Sequence, residues 1–152
     1  MKIDDVMTRN VRTCRPESNL AEVAREMWEA DCGVLPVVGT DGRVVGMITD
    51  RDICIAVATQ GRTADRIAVR EVARNPQVTT CLSTDATTTA LKTMQQQQLH
   101  RLPVVDDEGR LEGIVSLNDL VTHQGAANAT QIATALLGIC ERRASIVAPT
   151  AA

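Results

Sequence analysis

Apolar and polar positions along this chain predict a short series of helices and strands. From residue 18 to residue 30, apolar side chains recur at the three- and four-residue spacing of a helix with one buried face, namely Leu20, Val23, Ala24, Met27 and Trp28. Residues 34–38 form an unbroken apolar run of strand length, a turn cluster follows, and residues 43–48 are the partner strand. A second helix is predicted from residue 50 to Gly61, because glycine favours the left-handed conformation that ends many helices.

The same order of elements returns 67 residues later. Residues 11–52 align with residues 78–119 without a gap, and 12 of the 42 positions are identical. The first copy opens with a predicted strand at 11–14. The elements predicted for the second copy are a strand at 78–81, a helix at 85–98, strands at 101–105 and 110–115, and a helix at 117–124. A repeat of this length is a small domain used twice, so we expect a mixed α/β protein whose halves are related by a pseudo-two-fold axis.

Segments outside the aligned region complete the predicted domain organisation. Similar lead-in segments, residues 3–7 and 69–73, precede the two copies. The predicted units are a first repeat at 1–61, a linker at 62–67, a second repeat at 68–125, and a C-terminal helix and tail at 126–152. The helix, from about residue 128 to 142, would carry Ile132, Leu136, Ile139 and Cys140 on one side. It would either cap the repeat pair or pack on a partner subunit, and the four glutamines at 95–98 are interpreted as a solvated helix face.

Composition and charge argue against several classes of function. Apolar residues make up 44% of the chain, yet Phe and Tyr are absent and Trp28 is the single tryptophan, so aromatic platforms for nucleic-acid bases are not expected. The net charge of −3, with Lys and Arg spread along the chain, argues against a DNA or RNA partner. No stretch approaches the roughly 20 apolar residues that cross a bilayer. We expect a soluble, cytoplasmic protein without a membrane partner.

The cysteines predict no metal site. They are odd in number, lack C-x-x-C spacing and have no nearby histidine to complete a zinc set; they are Cys14, Cys32, Cys54, Cys81 and Cys140. Free thiols in a reducing compartment are the general expectation. A further hypothesis is a disulfide between Cys14, on a first-repeat strand, and Cys140, on the C-terminal helix, which would pin the tail to the core.

Both copies end their last strand in Gly-h-h-(Thr/Ser)-x-x-Asp, where h is an apolar residue. The first instance holds Thr49 and Asp52, and the second holds Ser116 and Asp119. One interpretation is a helix capping box with Asp in the place of Glu or Gln. The other is ligand binding, because the amides and dipole of a helix N-terminus stabilise a phosphate, and a carboxylate one turn later can accept from both hydroxyls of a ribose.

These features together resemble the CBS domain, which is named after cystathionine β-synthase. The resemblance rests on the strand–helix–strand–strand–helix order, the Leu-Pro-Val-Val strands at 35–38 and 102–105, the Gly-Arg turns at 42–43 and 109–110, and the doubled motif ending in Asp. Two such domains in tandem resemble a Bateman module, over residues 3–124. The resemblance implies two β-α-β-β-α repeats packed about a pseudo-two-fold axis, with a C-terminal helix added.

The resemblance also implies clefts between the repeats that bind adenine-containing ligands such as AMP, ADP, ATP, NAD or S-adenosylmethionine, with no cofactor required. Thr49 and Ser116 would contact phosphate, and Asp52 and Asp119 would contact the ribose. The adenine would lie against the first strands and the residues that lead into the two strand prolines, a set formed by Val11, Thr13, Val34, Pro36, Val78, Thr80 and Pro103. Backbone hydrogen bonds and aliphatic contacts would hold the base, which suits a chain without Phe or Tyr.

The two clefts should differ in charge. His100 and Arg101 precede the second strand proline, whereas the matching positions of the first copy hold Gly and Val. The resemblance makes Arg101 a phosphate clamp and His100 a weaker one, and a solvated surface arginine is the alternative. Arg51 matches Asn118, which puts a second cation beside the first motif.

The predicted function is regulatory. A standalone module would sense an adenine-containing ligand and signal to an effector protein through its own shape. A homodimer is implied, since tandem modules of this family pair through their amphipathic helices. An enzyme is not expected, because His100 and His123 are the only histidines and no Gly-x-Ser-x-Gly or phosphate-loop motif occurs. The alternatives are a structural or interaction protein with vestigial pockets, and an enzyme that a turnover assay would reveal.

Overall fold

Two α/β repeats and a further helix make up the computed structural model, which describes residues 1–73 and 77–141. In chain order the helices and strands are β1 (Thr8–Arg9), α1 (Leu20–Glu29), β2 (Val34–Val38), β3 (Val44–Thr49), α2 (Asp50–Gln60), α3 (Val69–Val72), β4 (Cys81–Leu82), α4 (Thr87–Gln97), β5 (Arg101–Val105), β6 (Leu111–Ser116), α5 (Leu117–Thr122) and α6 (Ala129–Cys140). Short 3-10 turns lie at Ile3–Asp5 and Ala64–Arg66. The predicted end of the C-terminal helix at residue 142 and the tail beyond it lie outside the described residues.

The hairpins and their flanking helices form as predicted. β2 pairs with β3 and β5 pairs with β6, both antiparallel, and each ladder shifts register at the same place. A helix follows each hairpin without a break, α2 after β3 and α5 after β6. Gly61 ends α2 with φ at 62°, the left-handed conformation that glycine adopts without strain. The mixed α/β fold with two tandem repeats is confirmed.

The predicted first strand of each repeat was wrong in extent. Residues 11–13 form no strand, and Cys14 makes only an isolated parallel bridge to Val37. In the second repeat the parallel strand is β4, which begins at the last residue of the predicted strand. In each repeat only one or two residues take part in the parallel pairing. The residues just before them connect to the other repeat and so lie outside the sheet.

Each repeat completes its core with the lead-in segment of the other. The N–H of Ile3 donates to the carbonyl of Asp85 at 2.9 Å, and β1 pairs with β6. In the same way residues 67–70 form backbone hydrogen bonds with residues 16–20. The buried residues exchanged are Ile3 and Val6 in the second core and Ile67 and Val69 in the first. The two halves therefore interlock. Gly113 permits the crossing, since a Cβ there would lie 2.5 Å from the carbonyl oxygen of Thr8.

The two hairpin turns also join the repeats. The N–H of Val44 donates to the carbonyl of Gly109 at 3.1 Å, and the N–H of Leu111 donates to the carbonyl of Gly42 at 3.2 Å. Both glycines have φ near 83°, which side chains rarely adopt. The reciprocal bonds tie the two hairpin turns to each other.

Helix α1 buries a narrower stripe than its sequence predicted. Leu20, Val23 and Met27 are buried, but Ala24 is exposed and Trp28 is 87% exposed. The placement of Trp28 on the buried face was therefore wrong. The reason is angular: each residue turns about 100° from the one before it, so the neighbour of Met27 leaves the buried stripe unless another element covers it.

Helix α6 caps the second repeat, one of the two roles left open for it. It packs against α4 and buries Ala135 and Ile139 in the second core. The predicted stripe was shifted by one position at Leu136 and Cys140, which are exposed. The glutamine run is not wholly solvated either, because the Gln98 side chain bonds to carbonyls of α6 and of the residue after it.

Candidate functional site

A cavity of about 680 Å³ lies between the two repeats, beside the first Gly-h-h-Thr-x-x-Asp motif. Seven of the predicted ligand contacts line it, three from the first repeat and four from the second: Val34, Thr49, Arg51, Val78, His100, Arg101 and Pro103. The volume falls within the range of about 300–1,000 Å³ that small-molecule sites occupy. The cavity is a property of the repeat pair, since neither repeat supplies all of its wall.

Two equivalent helix starts are each tied to the start of a strand, and the first of them, at Thr49, Asp50 and Arg51, lines this cavity. The N–H of Asp50, the first residue of α2, donates to the carbonyl of Gly33 at 3.1 Å. The N–H of Leu117, the first residue of α5, donates to the carbonyl of His100 at 2.8 Å. Each bond ties a helix N-terminus to the residue that precedes the partner strand. The Thr-x-x-Asp turn and the start of the preceding strand are consequently neighbours in both repeats.

Both motifs form complete capping boxes. Asp52 Oδ2 accepts from the Thr49 N–H at 2.9 Å and from its hydroxyl at 2.7 Å, while Thr49 Oγ1 accepts from the Asp52 N–H at 3.1 Å. Ser116 and Asp119 repeat these three bonds at 2.7, 2.7 and 3.2 Å. The capping interpretation is therefore realised in both repeats. It leaves room for the ligand interpretation, because a carboxylate offers about four lone-pair sites.

The cavity lining carries two arginines and one aspartate. Within residues 1–73 and 77–141, neither Arg51 nor Arg101 forms an ion pair. The aspartate, Asp50, accepts from the N–H of Arg51 at 2.7 Å. The lining therefore holds two guanidinium groups that form no ion pair within the described residues and one carboxylate, in a chain of net charge −3. The forked donors of a guanidinium group match the geometry of phosphate oxygens.

The remaining predicted residues lie outside the lining of this cavity. Val11 and Thr13 line two other clefts of about 520 and 330 Å³. The carbonyl of Pro36 accepts from the N–H of Cys14 at 3.0 Å, inside the first sheet. The others, which the cavity lining does not include, are Asp52, Thr80, Ser116, Asn118 and Asp119. Asp52 is nevertheless bonded directly to Thr49, which does line the cavity.

Sequence reasoning missed part of the lining. The additional residues are Gly33, Met47, Asp50, Gln77, Thr79, Gln97, Gln98 and Leu99. The two-residue period of a strand could have identified Met47, because it shares a face of β3 with Thr49. Residues 97–99 carry no such pattern. They reach the cavity because α4 ends there and the chain turns back into β5, a geometry that helical periodicity does not encode.

Two cysteines hold equivalent buried positions in the repeats. Burial raises the pKa of the Cys14 thiol to about 11, and burial together with the nearby Asp85 carboxylate raises the pKa of Cys81 to about 12. Both therefore remain protonated at neutral pH. The hypothesised disulfide between Cys14 and Cys140 is not formed: Cys14 lies in the first core, whereas Cys140 is an exposed thiol at the end of α6, which packs on the second core.

Among the described residues, no group of three or more His, Cys, Asp or Glu side chains is placed to hold a metal ion. None of the helices formed by residues 1–73 and 77–141 has the length and apolar character needed to span a bilayer.

Comparison with known proteins identifies the repeats. The family model of the CBS domain matches residues 3–59 and again residues 69–125. The CBS domain-containing protein YhcV of Bacillus subtilis is 35% identical over 127 residues, which cover 80% of this chain and 84% of that protein. An uncharacterised protein of Methanopyrus kandleri is 32% identical over 121 residues, 80% of this chain, and the matched part spans only 61% of that relative's length.

Solved structures of similar proteins share the fold. The crystal structure of Hypoxic Response Protein I with two coordinated zinc ions has a TM-score of 0.74 at 31% identity, covering 81% of this chain and 98% of that one. A CBS domain protein from Pyrobaculum aerophilum complexed with AMP has a TM-score of 0.74 at 26% identity, covering 88% and 99%. A CBS domain pair complexed with methylthioadenosine and S-adenosylmethionine has a TM-score of 0.70 at 26% identity, covering 80% and 97%.

Proposed function

This chain belongs to the CBS domain family, and we propose that it is a regulatory module that binds an adenine-containing ligand between its repeats and signals occupancy to an effector protein. The observation that carries the proposal is the cavity at the first motif, which Arg51 and Arg101 line from different repeats without ion-pair partners among the described residues. A ligand held by both arginines bridges the repeats, so its binding energy depends on their relative arrangement.

The lining of the cavity combines cationic and aliphatic side chains, which suit the phosphate and the base of a nucleotide. Arg51, Arg101 and the hydroxyl of Thr49 would hold phosphate, with His100 beside them. Aliphatic residues would enclose the base, and the lining offers Val34, Met47, Val78 and Pro103 for this purpose. The capping carboxylate of Asp52 would accept from the ribose hydroxyls. AMP, ADP, ATP and NAD share this division. S-adenosylmethionine has no phosphate and would offer its carboxylate to the arginines instead, and the AMP complex of the similar Pyrobaculum aerophilum protein supports the adenine-containing class as a whole.

Binding of this kind requires no cofactor and no catalysis. The arrangement provides charge and shape for a ligand, and we assign none of its residues a catalytic role. The second candidate is an interaction protein whose cavity is vestigial. The complete capping boxes favour this second candidate, because they give both motifs a structural role that is independent of any ligand.

We also propose that the protein is a homodimer through an α1–α2 surface, defined as Ala24, Trp28, Cys32, Ile53 and Cys54, which line one groove. Trp28 corresponds to Gln95 in the second repeat, 67 residues on. There α6 covers the face, so closely that a Cβ on Gly138 would lie 2.5 Å from Gln95 Cγ. Each chain thus has one of its two equivalent faces covered by its own helix. A single open face per chain favours a closed two-fold pair over a continuing chain of contacts.

Calorimetric titration of AMP, ATP and NAD into the wild-type protein tests the sensor function. Arg101→Ala should weaken binding about tenfold to a hundredfold, because a hydrogen bond to a charged group is worth about 1.5–3 kcal/mol. Arg66→Ala is the matched control, since it removes an exposed arginine that is paired with Asp65 outside the cavity. Its affinity should equal that of the wild type. If none of the three nucleotides binds the wild type at millimolar concentration, the interaction-protein alternative replaces the sensor function.

A further inference from the structure

Gln98 occupies a strained position at the end of α4. Its backbone is left-handed, with φ at 54° and ψ at 45°, and its N–H reaches the carbonyls of Gln95 and Met94. This conformation is unfavourable for residues other than glycine, because their Cβ comes too close to the following carbonyl oxygen. Such strain persists only where the surroundings hold it in place.

The side chain of Gln98 holds the end of α6. Its Nε2 donates to the carbonyl of Gly138 at 3.2 Å and to the carbonyl of Glu141 at 2.7 Å. The last carbonyls of a helix lack partners within the helix itself, so these two bonds satisfy groups that would otherwise need water. Together with the buried side chain of Ile139, they attach the final turn of α6 to the second repeat.

The same residue lines the cavity between the repeats. Gln98 stands there beside Gln97 and Leu99, and the next two residues are the cavity residues His100 and Arg101. One short segment, residues 97–101, therefore contacts the ligand space on one side and carries the α6 bonds on the other. α6 lies outside both repeats, since the family model ends its second match at residue 125.

We propose that Gln98 couples ligand occupancy of the cavity to the docking of the last turn of α6. This coupling rests on the proposed function, because it names α6 as the helix through which the same ligand site would signal. A nucleotide held by Arg101 restricts residues 97–101 and stabilises the left-handed turn that aims the Gln98 amide at α6. The last turn of α6 is then held more firmly when the cavity is full. By linkage, firm docking of α6 raises the affinity for the ligand by the same factor.

Hydrogen exchange of the amides of residues 136–141, with and without saturating AMP, measures the first half of this coupling. Exchange should slow about fivefold or more relative to the amides of α1, which lies in the other core and corrects for global stabilisation. In Gln98→Gly the turn is retained, because glycine suits its φ, while the amide is lost. Exchange should then be faster without AMP, and AMP should no longer change it relative to α1.

Gln96→Ala is the matched control, because Gln96 is an exposed glutamine of α4 that does not line the cavity. It should keep the effect of AMP on α6. An equal response in Gln98→Gly and the wild type would overturn the proposal. So would an AMP complex whose α6 exchange, relative to α1, is the same as that of the free protein.

Ligand affinity measures the reciprocal half. Ile139→Ala loosens the last turn of α6 from the second core, and Ile139 does not line the cavity. AMP should bind this variant about fivefold more weakly, whereas Leu137→Ala, on the exposed side of the same turn, should bind as the wild type does. Equal affinities in both variants and the wild type would refute the coupling and leave the sensor function intact. Failure of AMP, ATP and NAD to bind the wild type would refute both.

Discussion

At the scale of the residue, Asp52 and Asp119 make the same three capping bonds, in helices that begin at equivalent places. Their surroundings differ. Asp52 is bonded to Thr49 and lies next to Arg51, both in the cavity lining, whereas the neighbours of Asp119 in its own motif, Ser116 and Asn118, are outside it. One aspartate therefore serves as the natural control for the other.

Replacement of each aspartate by alanine separates capping from ligand binding. Both Asp52→Ala and Asp119→Ala should lower the free energy of unfolding by about 1 kcal/mol, the usual value of a lost cap, as measured by urea unfolding. Only Asp52→Ala should also weaken AMP binding at the described cavity, about tenfold or more, in a calorimetric titration. If the two variants lose stability alike and retain full affinity, the motif is a capping box alone.

At the scale of the element, α1 and α4 show how equivalent helices acquire different surfaces. Both are amphipathic, and each contacts the first strand of its hairpin, α1 on β2 and α4 on β5. α4 is covered on its outer face by α6, and its Leu91 is buried; the equivalent Ala24 of α1 is exposed beside Trp28. The difference comes from one added helix, which protects the face of one repeat and leaves the other open.

Trp28→Glu should dissociate the proposed dimer. A large aromatic side chain at the centre of an interface costs about 2 kcal/mol or more when it is removed, so the dissociation constant should rise roughly thirtyfold or more. Sedimentation or light scattering at micromolar concentration measures this. In the wild type, dilution should also move the fluorescence emission of the single tryptophan to longer wavelength as the residue becomes solvated.

Leu137→Glu is the control for this prediction, since Leu137 is an exposed apolar residue on α6, away from the α1–α2 surface. It should remain dimeric. A wild-type protein that is monomeric throughout the micromolar range, or a dimer that Leu137→Glu alone disrupts, would contradict the assignment of the interface.

At the scale of the whole molecule, the exchange of lead-in segments makes each repeat depend on the other. Ile67, the last residue of the predicted linker, and Val69 are fully buried in the first core, although they follow the end of α2. Ile3 and Val6 stand in the same relation to the second core. If the chain is cut in the linker and the pieces are separated, each repeat therefore loses the core residues that the other piece supplies. A domain of about 60 residues is only marginally stable even with a complete core.

Fragments 1–61 and 62–152, produced separately, should lack a cooperative unfolding transition, because each has lost buried residues that no other side chain replaces. Calorimetry or circular dichroism on heating measures this. An equimolar mixture is the control, because it contains every core residue and should regain cooperative unfolding. A fragment 1–61 that unfolds cooperatively by itself would show that the exchanged segment is dispensable.

The sequence by itself determined the hairpins, the helices that follow them and the doubled fold. Its repeat, strand runs and helix-ending Gly61 act over a few residues, within which backbone geometry and side-chain periodicity leave few alternatives. The same local rules located Thr49 and Arg51 at the end of a strand. The sequence also named Val78 and Arg101, because the resemblance to a known family supplied what periodicity could not.

Tertiary structure alone decided which segments meet. The exchange of the lead-ins, the solvent exposure of Trp28 and the contact of Gln98 with both the cavity and α6 depend on residues far apart in the chain. Judged from its neighbours in the sequence, Gln98 is one of four polar residues on a helix. It contacts both the cavity and α6 only because α4 ends beside α6. Local patterns record how a segment buries its own apolar side, whereas the partner that covers it is fixed by packing, loop closure and the relation between the two repeats.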